Sequence, residues 1–479
     1  MRVKAIFGWG LALALAGGVA PAVLAAGSPA TAAPKKAAAP REPLPFTLDS
    51  YPSTYRPLPR VDTLIANATV LDGAGHRLEH ASVLLKDGKV AAIGTNLAAP
   101  AGVTTIDAQG RWVTPGIVDI HTHLGNFPFP FASTDFNHSD VSETTDPNGA
   151  HTWAEHSITV QDPAFEAALA AGVTTVQVLP GSANLFGGRG VVLHNVPATT
   201  VQAKKFPGAP ISLKMACGEN PKYNYGDNGR FPSSRMGNMA GYRDAFLQAQ
   251  RYLHDWEVYE GGQGDDPPKR DLKMDTLAGV LHGDIKVQVH CYRADEMAEL
   301  LDLAREFKFQ ITAFHHAVEA YKIPDLLKQS GTCAAVWSDW WGYKEETFDA
   351  IRENAAFLDA SGACVMMHSD SGIIGQRLVL EAAKAMAAGK RAGIDISKEH
   401  AITWVTSVPA RAMGLGDRIG TLEPGRNADV VIWSGDPFSV YTLADQVFID
   451  GALAYDRHDP RRQPTSDFDA GLPSTRSRP

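Results

Sequence analysis

A chain of 479 residues, 44% hydrophobic and 20% charged, has room for one large barrel with a small domain beside it, or for three modest domains. That composition argues against a disordered, collagen-like or membrane-bundle protein. The net charge of −9, with basic residues dispersed along the chain, argues against a nucleic-acid surface, which needs a clustered basic patch.

Residues 1–26 read as a signal peptide. Arg2 and Lys4 form a short positive region, an apolar run follows from Ala5 to Leu24, and small residues (Val23-Leu24-Ala25 or Leu24-Ala25-Ala26) supply the cleavage signal. The run is crowded with Gly and Ala and no charged stop-transfer flank follows it. This predicts an exported protein, periplasmic or secreted, without a stable membrane anchor. Residues 27–60, rich in Ala, Pro, Ser and Lys, read as a linker or tether.

From 61 to 112 short alternating runs are broken by turn residues, with Asp87-Gly88 as a hairpin signal. The stretch 418–457 repeats the style in Asp429-Val430-Val431-Ile432-Trp433 and Gln446-Val447-Phe448-Ile449. Together they predict a small β-sandwich domain built from both chain ends. Residues 458–479 read as a flexible tail.

The centre, 113–417, alternates apolar β-type runs with helical segments, the pattern of a βα-repeat in an α/β protein. Strands are expected at Gly116–His121, Val173–Leu179, Ile211–Ala216, Ile285–His290, Gln310–His316, Ala334–Trp337 and Cys364–His368, with one more near Gly190–His194. Eight strands close a (β/α)8, TIM-like barrel. Helices are expected at Pro163–Ala171, Ala294–Phe307, Glu345–Ala360 and Arg377–Ala388. Pro221–Asp275 is too long for an ordinary barrel loop and reads as a lid or a subunit contact, compatible with a homo-oligomer. Cys217, Cys291, Cys333 and Cys364 form no CxxC spacing and sit in apolar segments. They read as buried free thiols, with a Cys333–Cys364 bridge as the alternative.

The chemistry gathers at strand ends. His121-Thr122-His123 closes an apolar run, and residues two apart in a strand point to the same side, so both imidazoles can face one ion. A lone His-x-His is a weak signal. Its place at the C-terminal end of a barrel strand strengthens it, because barrels carry their sites there. Similar runs lead into His290, into His315-His316, and through His368-Ser369 into Asp370. Imidazoles and carboxylates are the ligands that borderline divalent ions favour. Tyr292 and Arg293 follow His290 directly, and the planar fork of Arg293 suits a substrate carboxylate or, equally, a rim salt bridge. His194 ends the expected third strand and is a further substrate-contact candidate; Arg235 and Lys344 are weaker ones. Trp337, Trp340 and Trp341 suit either a pocket wall or aromatic core packing.

Several stretches resemble the amidohydrolase superfamily, in its branch near imidazolonepropionase-like and Xaa-Pro-dipeptidase-like members. They are Thr114 to His123, Ala171-Gly172-Val173-Thr174-Thr175, His368-Ser369-Asp370, Glu423-Pro424-Gly425 with Asn427 to Val431, and Phe448-Ile449-Asp450-Gly451. They span roughly 60–457. The resemblance implies metal ligation by His121, His123, His290 and Asp370, with Asp370 also moving a proton. It implies a sixth-strand ligand that is His315 or His316, with His316 preferred because His316-Ala317-Val318-Glu319-Ala320-Tyr321-Lys322 is similar to the corresponding run of such proteins. It implies a bridging ligand on the fourth strand, either Lys214 as N6-carboxylysine or, in its place, Glu219; some similar proteins hold a single ion without either. One or two divalent ions are implied, with zinc suiting the His-rich set and manganese, nickel or cobalt as alternatives.

The activity so implied is hydrolysis of a carbon–nitrogen bond in a small-molecule amide, dipeptide or cyclic amide, with Asp370 taking the proton of the attacking water. An esterase or lactonase on the same site is the alternative. A non-catalytic exported metal- or solute-binding protein is the third reading, against which the intact ligand set argues.

Overall fold

The apolar alternation of the first segment forms strands β1 (Thr63–Leu71), β2 (Arg77–Lys86), β3 (Lys89–Gly94), β4 (Thr104–Asp107) and β5 (Trp112–Pro115). Asp87 and Gly88 have φ of 52° and 79°, the left-handed pair that a tight two-residue hairpin requires, and they set Lys86 opposite Lys89. The computed structural model describes residues 42–127, 129, 139–264 and 266–462. The expected signal peptide over 1–26, the expected tether up to residue 41 and the expected tail beyond residue 462 lie outside the described residues. From Leu44 onward the chain forms one unit, and no described helix is long and apolar enough to cross a membrane.

The eight central strands are β6 (Ile117–Thr122), β7 (Val173–Val178), β8 (Phe186–His194), β9 (Ser212–Ala216), β10 (Lys286–Cys291), β11 (Ile311–His316), β12 (Cys333–Val336) and β13 (Val365–Met367). They lie side by side in chain order and form a nearly closed barrel. No ladder joins β13 to β6. The seam is held instead by Asp370 N donating to His121 O (2.8 Å), Ser369 Oγ to His121 O (3.2 Å) and Ser369 N to Asp119 Oδ1 (3.2 Å). The lower interior is apolar: Val118, Ile120, Val192, Ala313, Ala335 and Met366 meet Met413, Leu415 and Ile419 from the segment beyond the last barrel helix. Polar residues collect above that layer.

One strand departs from the (β/α)8 expectation. β8 runs antiparallel to both neighbours, with Thr175 opposite His194 and Met215 opposite Phe186. The reason is the length of the connection. Only Leu179–Leu185 separates β7 from β8, too short for the helical crossover that a parallel pair needs, so the chain returns as a hairpin. The strand expected near Gly190–His194 therefore begins earlier, at Phe186. Gly190 is required there, since a Cβ would lie 2.5 Å from Leu179 and 2.6 Å from Ser212.

Helices Pro163–Leu169, Ala294–Phe307 and Leu378–Arg391 fall where apolar periodicity places them. The expected Glu345–Ala360 helix is instead a short turn at Glu345–Thr347 and a separate helix at Asn354–Ser361. The Pro221–Asp275 stretch is largely helical, and Tyr223, Asn224, Asp227 and Asn228 in it line a cavity beside His123 and Asp370. Its 26-residue helix Arg235–Glu260 buries Tyr242, Phe246, Ala249 and Tyr252, the three- and four-residue spacing of a core-facing stripe.

Strands β14 (Val430–Trp433), β15 (Ala444–Ile449) and β16 (Ala452–Asp456) return to the first sheet, in the order β16-β15-β14-β5-β1-β2-β3 with β4 beside β1. The expected sandwich takes the form of this one sheet drawn from both flanks, and no second facing sheet is found among the described residues. Its core includes Ile65, Val70, Val83, Leu85, Val113, Val430 and Phe448. The four cysteines are not free: Cys217–Cys291 and Cys333–Cys364 are disulfides. Parallel pairing of β9 with β10 sets Ala216 beside His290, which brings the next residue on each strand together.

Candidate metal centre

Five strands deliver side chains to one end of the barrel. From β6 come His121, fully buried, and His123, whose Nδ1 lies 2.8 Å from the Leu179 carbonyl. A carbonyl oxygen can only accept, so that contact places a proton on Nδ1. Both Nε2 atoms lie 3.0 Å from Asp370 Oδ1, just beyond β13. Lys214 of β9 is buried, with Nζ 2.9 Å from His121 Nε2. His290 ends the inward-facing positions of β10, and its buried Nε2 has no hydrogen-bond partner.

β11 presents two adjacent histidines inward, against strand alternation. The cause is backbone: His316 and Ala317 have φ of 69° and 41°, in the left-handed region, so the chain turns as the strand ends. Asp370, at φ 55°, is held the same way. Such conformations cost about 1–3 kcal/mol each and persist where surrounding contacts enforce them. Here His316 N donates to His368 Nε2 (3.0 Å).

Two overlapping sets have ligand atoms within 4.8 Å of one another: His121, His316 and Asp370, and, deeper, His121, His315 and His368. In the deeper set His315 Nε2 is 2.8 Å from Gln288 Oε1, and His368 Nε2 is taken by His316 N. His368 was quoted in a motif without a role; its support of the His316 backbone follows from the β11–β13 arrangement, which no local pattern reveals. Asp119 is likewise a supporting group that the sequence reading left without a role. It accepts from His121 N and Ser369 N (3.2 Å each), and burial pushes its carboxyl up to about 7.

Electrostatics favour a cation ligand set. Burial, with neighbouring cationic groups adding to it, holds His121, His290 and His316 well below the ordinary imidazole value, so all three are neutral. His121 Nδ1, His290 Nε2 and His316 Nδ1 are buried without a protein partner. Burial raises the Asp370 carboxyl, but the His123 hydrogen bond and the charges of His123, Lys214 and His368 outweigh it and hold it below the usual carboxylate range. Burial lowers the Lys214 ammonium to about 8.

The remaining sequence candidates lie elsewhere. Glu219 begins the helix Glu219–Gly226 and faces Lys344 Nζ at 3.6 Å, so it does not join the cluster. Lys344 is held by Glu346 (2.8 Å) and Asn220 (3.1 Å), and Arg235 by Asp295 (2.8 Å). Tyr292 stacks on His316 at 4.9 Å and shares a 2.8 Å hydroxyl contact with Tyr343. Arg293 occupies the N-cap of helix Ala294–Phe307, within electrostatic range of Asp295 and Asp349. His194 is a correction. Because β8 is reversed, it lies opposite Thr175, near the start of β7 and away from the mouth, stacked between Tyr55 (4.2 Å) and Phe206 (4.1 Å). Burial pushes it down to about 3.

A barrel whose mouth gathers neutral imidazoles, an ionised carboxylate and a buried lysine belongs to the class of metal-binding TIM-type barrels. Comparison with known proteins narrows the class. Residues 287–457 match the Amidohydrolase family. An amidohydrolase from Thermotoga maritima has a similar structure at 35% sequence identity and a TM-score of 0.76, covering 82% of this chain and 100% of that one. The amidohydrolase tasK of Hapsidospora irregularis is 30% identical over 401 residues, 78% of this chain but only 40% of tasK. An imidazolonepropionase of Mesorhizobium japonicum is 25% identical over 398 residues, 76% of this chain and 90% of that protein. The chain belongs to the amidohydrolase family, and with it to the enzymes that hydrolyse carbon–nitrogen bonds.

Proposed function

We propose that the protein is an exported, metal-dependent amidohydrolase that cleaves a carbon–nitrogen bond in a small amide, dipeptide or cyclic amide. The observation that carries this reading is the meeting of Asp370 Oδ1 with His121 and His123 Nε2 at 3.0 Å each, with Lys214 Nζ 2.9 Å from His121. His121, His123, His290, His316 and Asp370 would hold one or two divalent ions, zinc suiting so many imidazoles. When bound, the metal supplies a Lewis acid that polarises the scissile carbonyl and lowers the pKa of water.

The chain's own residues do the rest. Lys214 as an ammonium would repel a cation; as N6-carboxylysine it becomes an anionic bridge, and its burial favours the uncharged amine that adds carbon dioxide. Asp370, held ionised, takes a proton from the attacking water and returns it to the departing nitrogen, so the products are a carboxylate and an amine. The two disulfides, which use every cysteine, support export, because such bonds persist in oxidising compartments.

The test is amide hydrolysis by the purified chain before and after chelation, with Asp370→Asn as the comparison. The expected result is loss of turnover on chelation, recovery with zinc, and at least about a thousandfold lower kcat in the variant. Near-normal turnover by Asp370→Asn would remove the proton-transfer role.

A further inference from the structure

The candidate centre borders two cavities. His316 lines one of about 260 Å³, whose walls include Trp337, Trp340 and Trp341 together with the charged Asp339 and Arg352. His123 and Asp370 line the other, of about 720 Å³, walled by Ser182, Asn224 and Asp227 together with Val141 and Tyr223. His316 and Asp370 themselves have ligand atoms within 4.8 Å of each other. A molecule reacting there has room on both sides, with indole rings on the His316 side.

The aromatic side is organised as a stack. His316 lies on Trp337 at 4.4 Å and 28°, and Trp337 lies on Trp340 at 4.5 Å and 14°. Trp337 is buried and fixed, its indole N–H 3.4 Å from the Ser369 carbonyl, whereas Trp340 is only partly buried. Indole faces of this kind favour a flat ring in offset or edge contact. On the other side, no lysine or arginine occurs among the described residues lining the wide cavity.

We propose that the substrate carries a flat aromatic group on one side of the scissile bond, seated on Trp340 in the smaller cavity, with the rest of the molecule extending into the wider one. This rests on the hydrolase reading and specifies its substrate class.

The test uses two pairs of amide-terminated probes, glycyl-phenylalaninamide with glycyl-alaninamide, and phenylalanyl-glycinamide with alanyl-glycinamide. They are assayed with the metal-loaded full chain and with Trp340→Ala and Trp340→Phe. In one pair the phenylalanine probe should be favoured in kcat/KM by about tenfold or more, the scale of one aromatic contact. Trp340→Ala should bring that ratio close to one, and Trp340→Phe, which keeps a ring, should retain most of it. No aromatic preference in either pair, or a preference that survives Trp340→Ala, overturns the proposal. If no probe is hydrolysed, the hydrolase reading fails separately. The subsite is then judged by calorimetric binding of phenylalaninamide: binding weakened about tenfold by Trp340→Ala supports it, and absent binding overturns it.

Discussion

Lys214 is the residue on which the character of the centre turns. A buried side chain 2.9 Å from a neutral imidazole and held near pKa 8 is poorly placed as a permanent cation. As a carbamate it would link the β6 histidines to His290 and His316. Lys214→Ala should then lose bound metal and at least about a hundredfold in turnover. Added formate or propionate, which restores a carboxylate to the vacated space, should recover part of both. Metal content and activity unchanged in Lys214→Ala would contradict the bridging role. Most of this cluster was legible from strand-end position alone, since His121, His123, His290 and Asp370 each follow an apolar run. His316 was separable from His315 only through the resemblance of its downstream run, because strand alternation predicts one inward histidine and the positive φ at His316 supplies two.

At the level of elements, what could not be read was direction and register. His194 ends a strand in the sequence as clearly as His290 does, yet β8 is reversed and carries it to the other end of the barrel. The clue was the short Leu179–Leu185 connection, which demands a hairpin. Cys217 and Cys291 looked like separate buried thiols because their pairing depends on the β9–β10 register. The Glu345–Ala360 helix failed because the segment carries the Glu346–Lys344 ion pair and the Glu346 contact to Glu219 N before the chain turns into Asn354–Ser361. One inter-element contact gives a pH prediction. His400, on the helix Lys398–Ala401, lies 2.7 Å from Asp359 of the helix Asn354–Ser361. The hydrogen bond to Asp359 raises the imidazole above its ordinary 6.5, so the contribution is full below the unfolded value and fades as pH rises through the folded one. In urea denaturation, His400→Gln should cost more stability at pH 5.5 than at pH 8.5; equal cost at both would show that the imidazolium form adds nothing.

The whole molecule joins a sheet built from both chain ends to the barrel that carries the centre. Gly172, at φ 86°, leads into β7, and its missing side chain admits Trp433 of β14, 3.0 Å from where a Cβ would lie. The disulfides close loops of 74 and 31 residues, each contributing roughly 3–5 kcal/mol in the chain-entropy picture. Reduction under non-denaturing conditions should therefore lower the thermal midpoint by several degrees, and an unchanged midpoint would mean that neither bond contributes to stability. The central claim is that this barrel mouth is a metal centre with a modified lysine. Metal content per chain, measured beside the native intact mass of the mature protein, tests it most directly. Two divalent ions and one added carbon dioxide are expected, lost together in Lys214→Ala; a chain that binds no ion even after reconstitution would contradict a metal centre here.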